Sequence, residues 1–115
     1  MGIEILRTPV GLEVLRGLAG QTFGDFIKAV VDVGRDVMAV GGELHADEEA
    51  LLLEDGARQA DLWGINLYPD RTIEELIEFD SMINVRPAQG NRSRAVDDAT
   101  VRQRIEAIVR RLVVP

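Results

Sequence analysis

His45 is the chain's single histidine, and it stands between carboxylates in the run Gly41-Gly42-Glu43-Leu44-His45-Ala46-Asp47. In an extended strand alternate side chains share a face. Glu43, His45 and Asp47 would then point one way, with Leu44 and Ala46 the other. Flanking carboxylates stabilise an imidazolium, which suits a general acid or base working near neutral pH. The same trio offers donors to a divalent metal, but zinc ordinarily takes more nitrogen or sulfur ligands than one histidine supplies. No metal set and no cofactor is therefore assigned. The plainer alternative is a trio on the wet face of a sheet.

A second polar run is Glu78-Phe79-Asp80-Ser81-Met82-Ile83-Asn84-Val85-Arg86. Read as a strand, it places Glu78, Asp80, Met82, Asn84 and Arg86 on one face. Arg86 could clamp a carboxylate or phosphate there, with Asp80 beside His45 as a second acid. The alternative is a ladder of cross-strand charge pairs, which stabilises a sheet modestly. A third run, Pro87 to Arg94, carries Asn91, Arg92 and Arg94 on a loop with one glycine. Such a loop can donate hydrogen bonds to an anion. Equally, it can pin the last helix, its arginines paired with the acidic strands. It has neither the glycine spacing nor the Lys-Ser/Thr pair of a P-loop.

Tyr68 closes the stretch Leu62-Trp63-Gly64-Ile65-Asn66-Leu67-Tyr68-Pro69. It shares a face with Asn66, either lining a ligand site or standing half-buried as a structural residue. Ser81 and Ser93 lack any activating signature, and no nucleophile elbow or dinucleotide fingerprint is present. With no cysteine, thiol chemistry and disulfides are excluded.

These residues need a frame. Ile3 to Leu6 reads as an edge strand. Thr8-Pro9 reads as the start of a helix over about residues 10–22, with Leu12, Leu15, Leu18 and Ala19 at helical spacing. Phe26 to Val33 and Val37 to Val40 form a hairpin about Gly34-Arg35-Asp36, and the second strand can run on to His45. The glycines at 41 and 42 mark a bulge or a close backbone approach. Ala50 to Glu54 reads as a further strand, with a short helix over 47–53 as the alternative. Leu62 to Tyr68 and Leu76 to Val85 complete the strands. Asp97 or Asp98 caps a final helix with Val101, Ile105, Ile108, Val109 and Leu112 on one stripe. The links are too short for parallel crossovers. The expected fold is therefore α+β: a mainly antiparallel sheet of about five strands, with an N-terminal and a C-terminal helix packed on one face.

The 115 residues suit a single domain over 1–115, large enough to bury a core. That core must be aliphatic, since there are only five aromatic residues. No run is apolar or long enough to span a membrane, and no signal peptide is visible, so a cytoplasmic location is expected. A net charge of −7 argues against nucleic-acid partners. Residues 1–85 carry −11 and residues 86–115 carry +4. Either the basic C-terminal segment lies over an acidic sheet, or it meets an acidic partner or an anion.

Three stretches resemble the hallmark sequences of a small prokaryotic protein family of unknown function. They are Gly41 to Asp47, Leu62 to Pro69, and Phe79 to Pro87 with Gly90 to Ser93. The resemblance covers nearly the whole chain. It implies a free-standing small protein and brings no activity, cofactor or catalytic residue.

Two functions remain in play. One is a small non-enzymatic binding or regulatory module, able to form a homodimer. The other is a site for a small anionic ligand, with or without hydrolysis or proton transfer. That site would draw on His45, Glu43, Asp80, Tyr68, Asn84, Arg86, Asn91, Arg92 and Arg94, and would require these side chains to converge.

Overall fold

Residues 2–115 are described by a computed structural model. The chain begins with two short strands, β1 (Glu4–Leu6) and β2 (Val10–Gly11), followed by helix α1 (Leu12–Gln21). A hairpin, β3 (Ile27–Asp32) and β4 (Val37–Val40), leads into helix α2 (His45–Glu54). Then come β5 (Leu62–Leu67), β6 (Ile77–Glu78), helix α3 (Ala99–Leu112) and β7 (Val113–Val114). Short 3₁₀ turns at Met82–Asn84 and Pro87–Gln89 occupy the stretch between β6 and α3.

Five strands form one antiparallel sheet in the order β1-β4-β3-β5-β6. The Val- and Ile-rich β3 lies at its centre, where β-branched side chains pack best. Val31 is paired with Met38 on one side and Trp63 on the other. Alternation then divides the core. Ile27, Ala29 and Val31 join Leu15 of α1 and Ile105, Val109 and Leu112 of α3. Val30 joins Ala39, Leu62 and Leu52 of α2 in a second, smaller cluster. The sheet thus buries apolar side chains on both faces.

The hairpin turns as expected. Buried Asp32 accepts bonds from the Gly34 and Arg35 amides and from the Arg35 guanidinium, and Asp36 takes a left-handed conformation. Asp98 is the cap of α3, accepting from the Thr100 amide at 2.8 Å. Asp97 instead holds the Ser93 hydroxyl and the Arg92 amide.

Four expectations need correction. The segment 50–54 is not a strand, nor does β4 run on to His45; residues 45–54 form α2. Gly41 turns the chain with φ of +98°, which ends the extended path. The Ala-, Glu- and Leu-rich run that follows has helical propensity, and coiling it buries Leu52. Next, Thr8-Pro9 does not open α1. Val10–Gly11 pairs in parallel with β7, and the helix begins at Leu12 without a side-chain cap. Finally, the strand expected over 76–85 stops at Glu78. Beyond it Ser81 accepts from the Ile83 amide and starts a 3₁₀ turn.

Candidate functional site

The end of the sheet beside the first turn of α2 forms a cleft of about 530 Å³. Its polar wall is built from Lys28, His45, Asn66, Glu78, Asp80 and Arg94. Lys28 and Asn66 are register partners on β3 and β5, so their side chains share a face. His45 arrives from the first turn of α2. Glu78 ends β6, and Asp80 follows in the chain that leaves it.

His45 is 8% exposed. Its Nε2 lies 2.8 Å from the Ile65 carbonyl oxygen. A carbonyl can only accept, so Nε2 carries the proton and Nδ1 keeps the lone pair. Burial holds the ring's proton affinity below the ordinary histidine value, and the charges of Lys28 and Arg94 act the same way. The Ile65 hydrogen bond and Asp80 oppose them and lose. Desolvation therefore reverses the expectation of a carboxylate-stabilised imidazolium. The ring is a neutral base with one fixed tautomer.

The remaining wall is partly self-satisfied. Arg94 Nε donates to Asp80 Oδ1 at 2.6 Å. Glu78 Oε1 accepts from Asn66 Nδ2 at 2.9 Å and from the Tyr68 hydroxyl at 3.2 Å. Tyr68 stacks on Phe26, which stacks on Phe23, and the Arg71 guanidinium covers its outer face. Burial and Glu78 both raise the Tyr68 pKa, so it remains a neutral donor. Two groups are left over. Among the described residues Lys28 makes no ion pair; its ammonium lies over the Phe23 ring, 5.3 Å from the centroid, and has no counter-charge. Asn66 is 7% exposed, and its Oδ1 has no hydrogen-bond partner.

Of the residues singled out in the sequence, His45, Asp80, Arg94 and Tyr68 therefore meet at this cleft. The others do not. Because residues 45–54 are helical, Glu43 no longer shares a face with His45. It is exposed at a different depression of about 780 Å³, beside Thr22 of the α1 end. Asn84 is fully buried, its amide bonded to both backbone groups of Gly64 and to the Arg94 carbonyl. Arg86 stacks over Trp63 and donates to the Gln59 and Leu62 carbonyls. Asn91 donates to the Asn84, Ser93 and Ala95 carbonyls and accepts from the Asp97 amide. Arg92 is exposed and contributes its backbone amide to Asp97. The loop thus ties itself to β5 and to the entry of α3.

A family model described as a protein of unknown function (DUF5674) matches residues 4–112. The chain belongs to this family. No curated protein and no solved structure matches it. For this DUF5674 protein the reading of the cleft therefore rests on its own residues. None of its described helices is long and apolar enough to cross a membrane. Nor do the described residues gather three or more His, Asp or Glu side chains in an arrangement that could hold a metal.

Local sequence pattern alone does not single out Lys28 and Asn66 as site residues. Each carries a signal in retrospect: a lysine and an asparagine at alternate positions in otherwise apolar strands. Glu48 had no such signal. It lies on α2 itself, is 0% exposed, accepts from the Gly42 amide at 2.9 Å, and has Oε1 unpartnered. Burial pushes its pKa up to about 9, so it is a neutral acid at pH 7.

Proposed function

We propose that this protein binds a small charged organic molecule in the cleft between the α2 start and the β3–β5–β6 end of the sheet. The observation that carries this reading is the His45–Ile65 hydrogen bond. It spends the ring's proton on the fold and leaves Nδ1, unprotonated, as the nitrogen available to a ligand. A base held in one tautomer by a backbone carbonyl is ready to accept a hydrogen bond or a proton. The Lys28 ammonium, set over the Phe23 ring and without a carboxylate partner, supplies charge for an anionic group, and Arg94 a second donor. Apolar side chains surround the polar wall: Leu44 and Met82 are 56% and 64% exposed beside it.

Binding is the primary role in this reading. Proton transfer to His45 Nδ1 is the chemistry the site could add. The test is a titration of ¹⁵N-labelled protein with small aliphatic carboxylates, amines and zwitterions. The reading expects shifts at Lys28, His45, Asn66 and Asp80, and their loss in His45→Gln. Shifts confined to the Glu43 depression, or none anywhere, would sink it.

A homodimer is a second proposal, favoured by the exposure of Leu44 and Met82 on one lip. Light scattering decides it: a species of one chain's mass at high concentration removes it.

A further inference from the structure

The cleft's polar groups can be sorted by what they still need. Arg94 and Asp80 hold each other at 2.6 Å and cancel in charge. That leaves one cation, Lys28, and one anion, Glu78. Both hydrogen bonds to Glu78 go to Oε1, so Oε2 is left without a protein partner. Asn66 Nδ2 is used on Glu78 and, more weakly, on the Asp80 carbonyl at 3.4 Å. Its orientation is fixed by those two acceptors, and its buried Oδ1 requires a donor. His45 Nδ1 is another acceptor without a proton.

The opposite need lies beside them. Leu44 occupies the N-cap position of α2 and offers no side-chain cap. The Asp47 amide turns back to the Leu44 carbonyl at 3.1 Å, so this end of the ten-residue helix offers the His45 and Ala46 N–H groups and the positive end of its dipole, beside the same cleft as Lys28. That pole suits a carboxylate. Glu78 Oε2, Asn66 Oδ1 and His45 Nδ1 suit a group rich in N–H donors. Between and beside the poles lie the exposed Leu44 and Met82 side chains.

We infer that the ligand is a zwitterion, an α-amino acid with an apolar side chain; this rests on the cleft being the ligand site. The carboxylate meets Lys28 and the start of α2. The ammonium donates to Asn66 Oδ1 and Glu78, and the apolar chain covers Leu44 and Met82. A phosphate monoester fits less well, because one free cation faces two negative charges with Glu78 close by. A simple fatty carboxylate leaves Asn66 Oδ1 unsatisfied, and a simple amine brings Lys28 no counter-charge.

The experiment compares leucine, 4-methylpentanoate and isoamylamine as probes, with binding read from amide shifts at Ala46, Lys28 and Asn66. The latter two probes are leucine without its ammonium and without its carboxylate. Leucine is expected to bind at least about tenfold more tightly than either, since each lacks one charge-assisted contact. Lys28→Met should remove leucine's advantage over isoamylamine. Glu78→Gln should remove its advantage over 4-methylpentanoate. Spectra of both variants in the absence of probe verify that they fold. Leucine binding no tighter than 4-methylpentanoate overturns the zwitterion and leaves the cleft as the ligand site. No shift at these three residues with any probe overturns both.

Discussion

Asn84 serves Gly64 as a surrogate strand. Its Oδ1 accepts from the Gly64 amide and its Nδ2 donates to the Gly64 carbonyl, each at 2.9 Å. Where β6 ends, one side chain thus takes over the hydrogen-bonding role that a further strand would have had toward β5. The approach is close because Gly64 has no side chain. A Cβ there would stand 2.6 Å from both Ser81 Cβ and Ser81 Oγ.

Asn84→Ala should strand the buried Gly64 amide and carbonyl together with the Arg94 carbonyl. The expected loss is about 2–4 kcal/mol, since each unsatisfied buried group costs about 1–3 kcal/mol and water recovers part of it. Urea unfolding measures it. A loss below about 0.5 kcal/mol, the range of an indifferent surface change, would show the pairing to be incidental.

Gly64→Ala should destabilise by a similar amount for a steric reason. The added methyl meets Ser81 and, at 3.2 Å, Ile83. Overpacking of this kind costs about 1–3 kcal/mol. Pairing it with Ser81→Gly, which removes the clashing side chain, should recover part of the loss. If the double variant is no more stable than Gly64→Ala alone, the clash is not the cause.

Glu48→Gln should stabilise the protein at neutral and alkaline pH. The folded pKa of about 9 lies above the ordinary value of 4.5, so the native state holds a proton that the unfolded chain releases. Stability from this group is therefore full below pH 4.5 and declines as pH rises toward 9. At pH 7 the penalty is on the order of 1–3 kcal/mol, and the glutamine removes it. Unfolding curves of both proteins should converge near pH 4. A wild-type advantage that grows with pH would contradict the neutral-acid assignment.

His45 acts in the opposite direction. Its folded pKa lies below the ordinary value of about 6.5, so the unfolded chain takes the proton first. Stability should fall as pH drops through about 6.5, and stop falling once the folded ring is itself protonated. Glu48 opposes this trend between about pH 5 and 6.5, so wild type is compared with His45→Gln rather than read alone. Long-range ¹H–¹⁵N spectra of the ring should show a proton on Nε2 and a titration midpoint below about 6.5. A protonated Nδ1, or a midpoint above that value, would refute the tautomer drawn from the Ile65 contact.

Much of this molecule was legible from local pattern. The Val- and Ile-rich run about Ala29 and Val30 is a central strand, Gly34 to Asp36 is a turn, and the Ile105–Leu112 stripe is a buried helix face. In each the residue's own periodicity and its neighbours' chemistry agree, so no distant contact is needed to decide the outcome. The polar runs were a different matter. For the stretch ending at Asp47 an alternating reading and a helical reading compete. A left-handed Gly41, together with room for Leu52 against Val30 and Leu62, decided for helix and carried Glu43 away from His45. In the stretch from Glu78 to Arg86 the alternation is just as regular. The chain leaves it after Glu78 because Gly64, far off in sequence, leaves space for Ser81 and offers Asn84 two hydrogen bonds.

The candidate site follows the same division. Sequence by itself determined which groups exist: one imidazole, twelve arginines, and a single lysine set into an apolar strand. Tertiary structure alone decided which of them are free to act. Arg86, Asn84 and Asn91 are committed to backbone carbonyls, while Lys28 has an aromatic ring but no carboxylate beside its charge and Asn66 Oδ1 has no donor. The proton affinities of His45 and Glu48 are governed by burial, and burial is a property of surfaces brought together from distant parts of the chain.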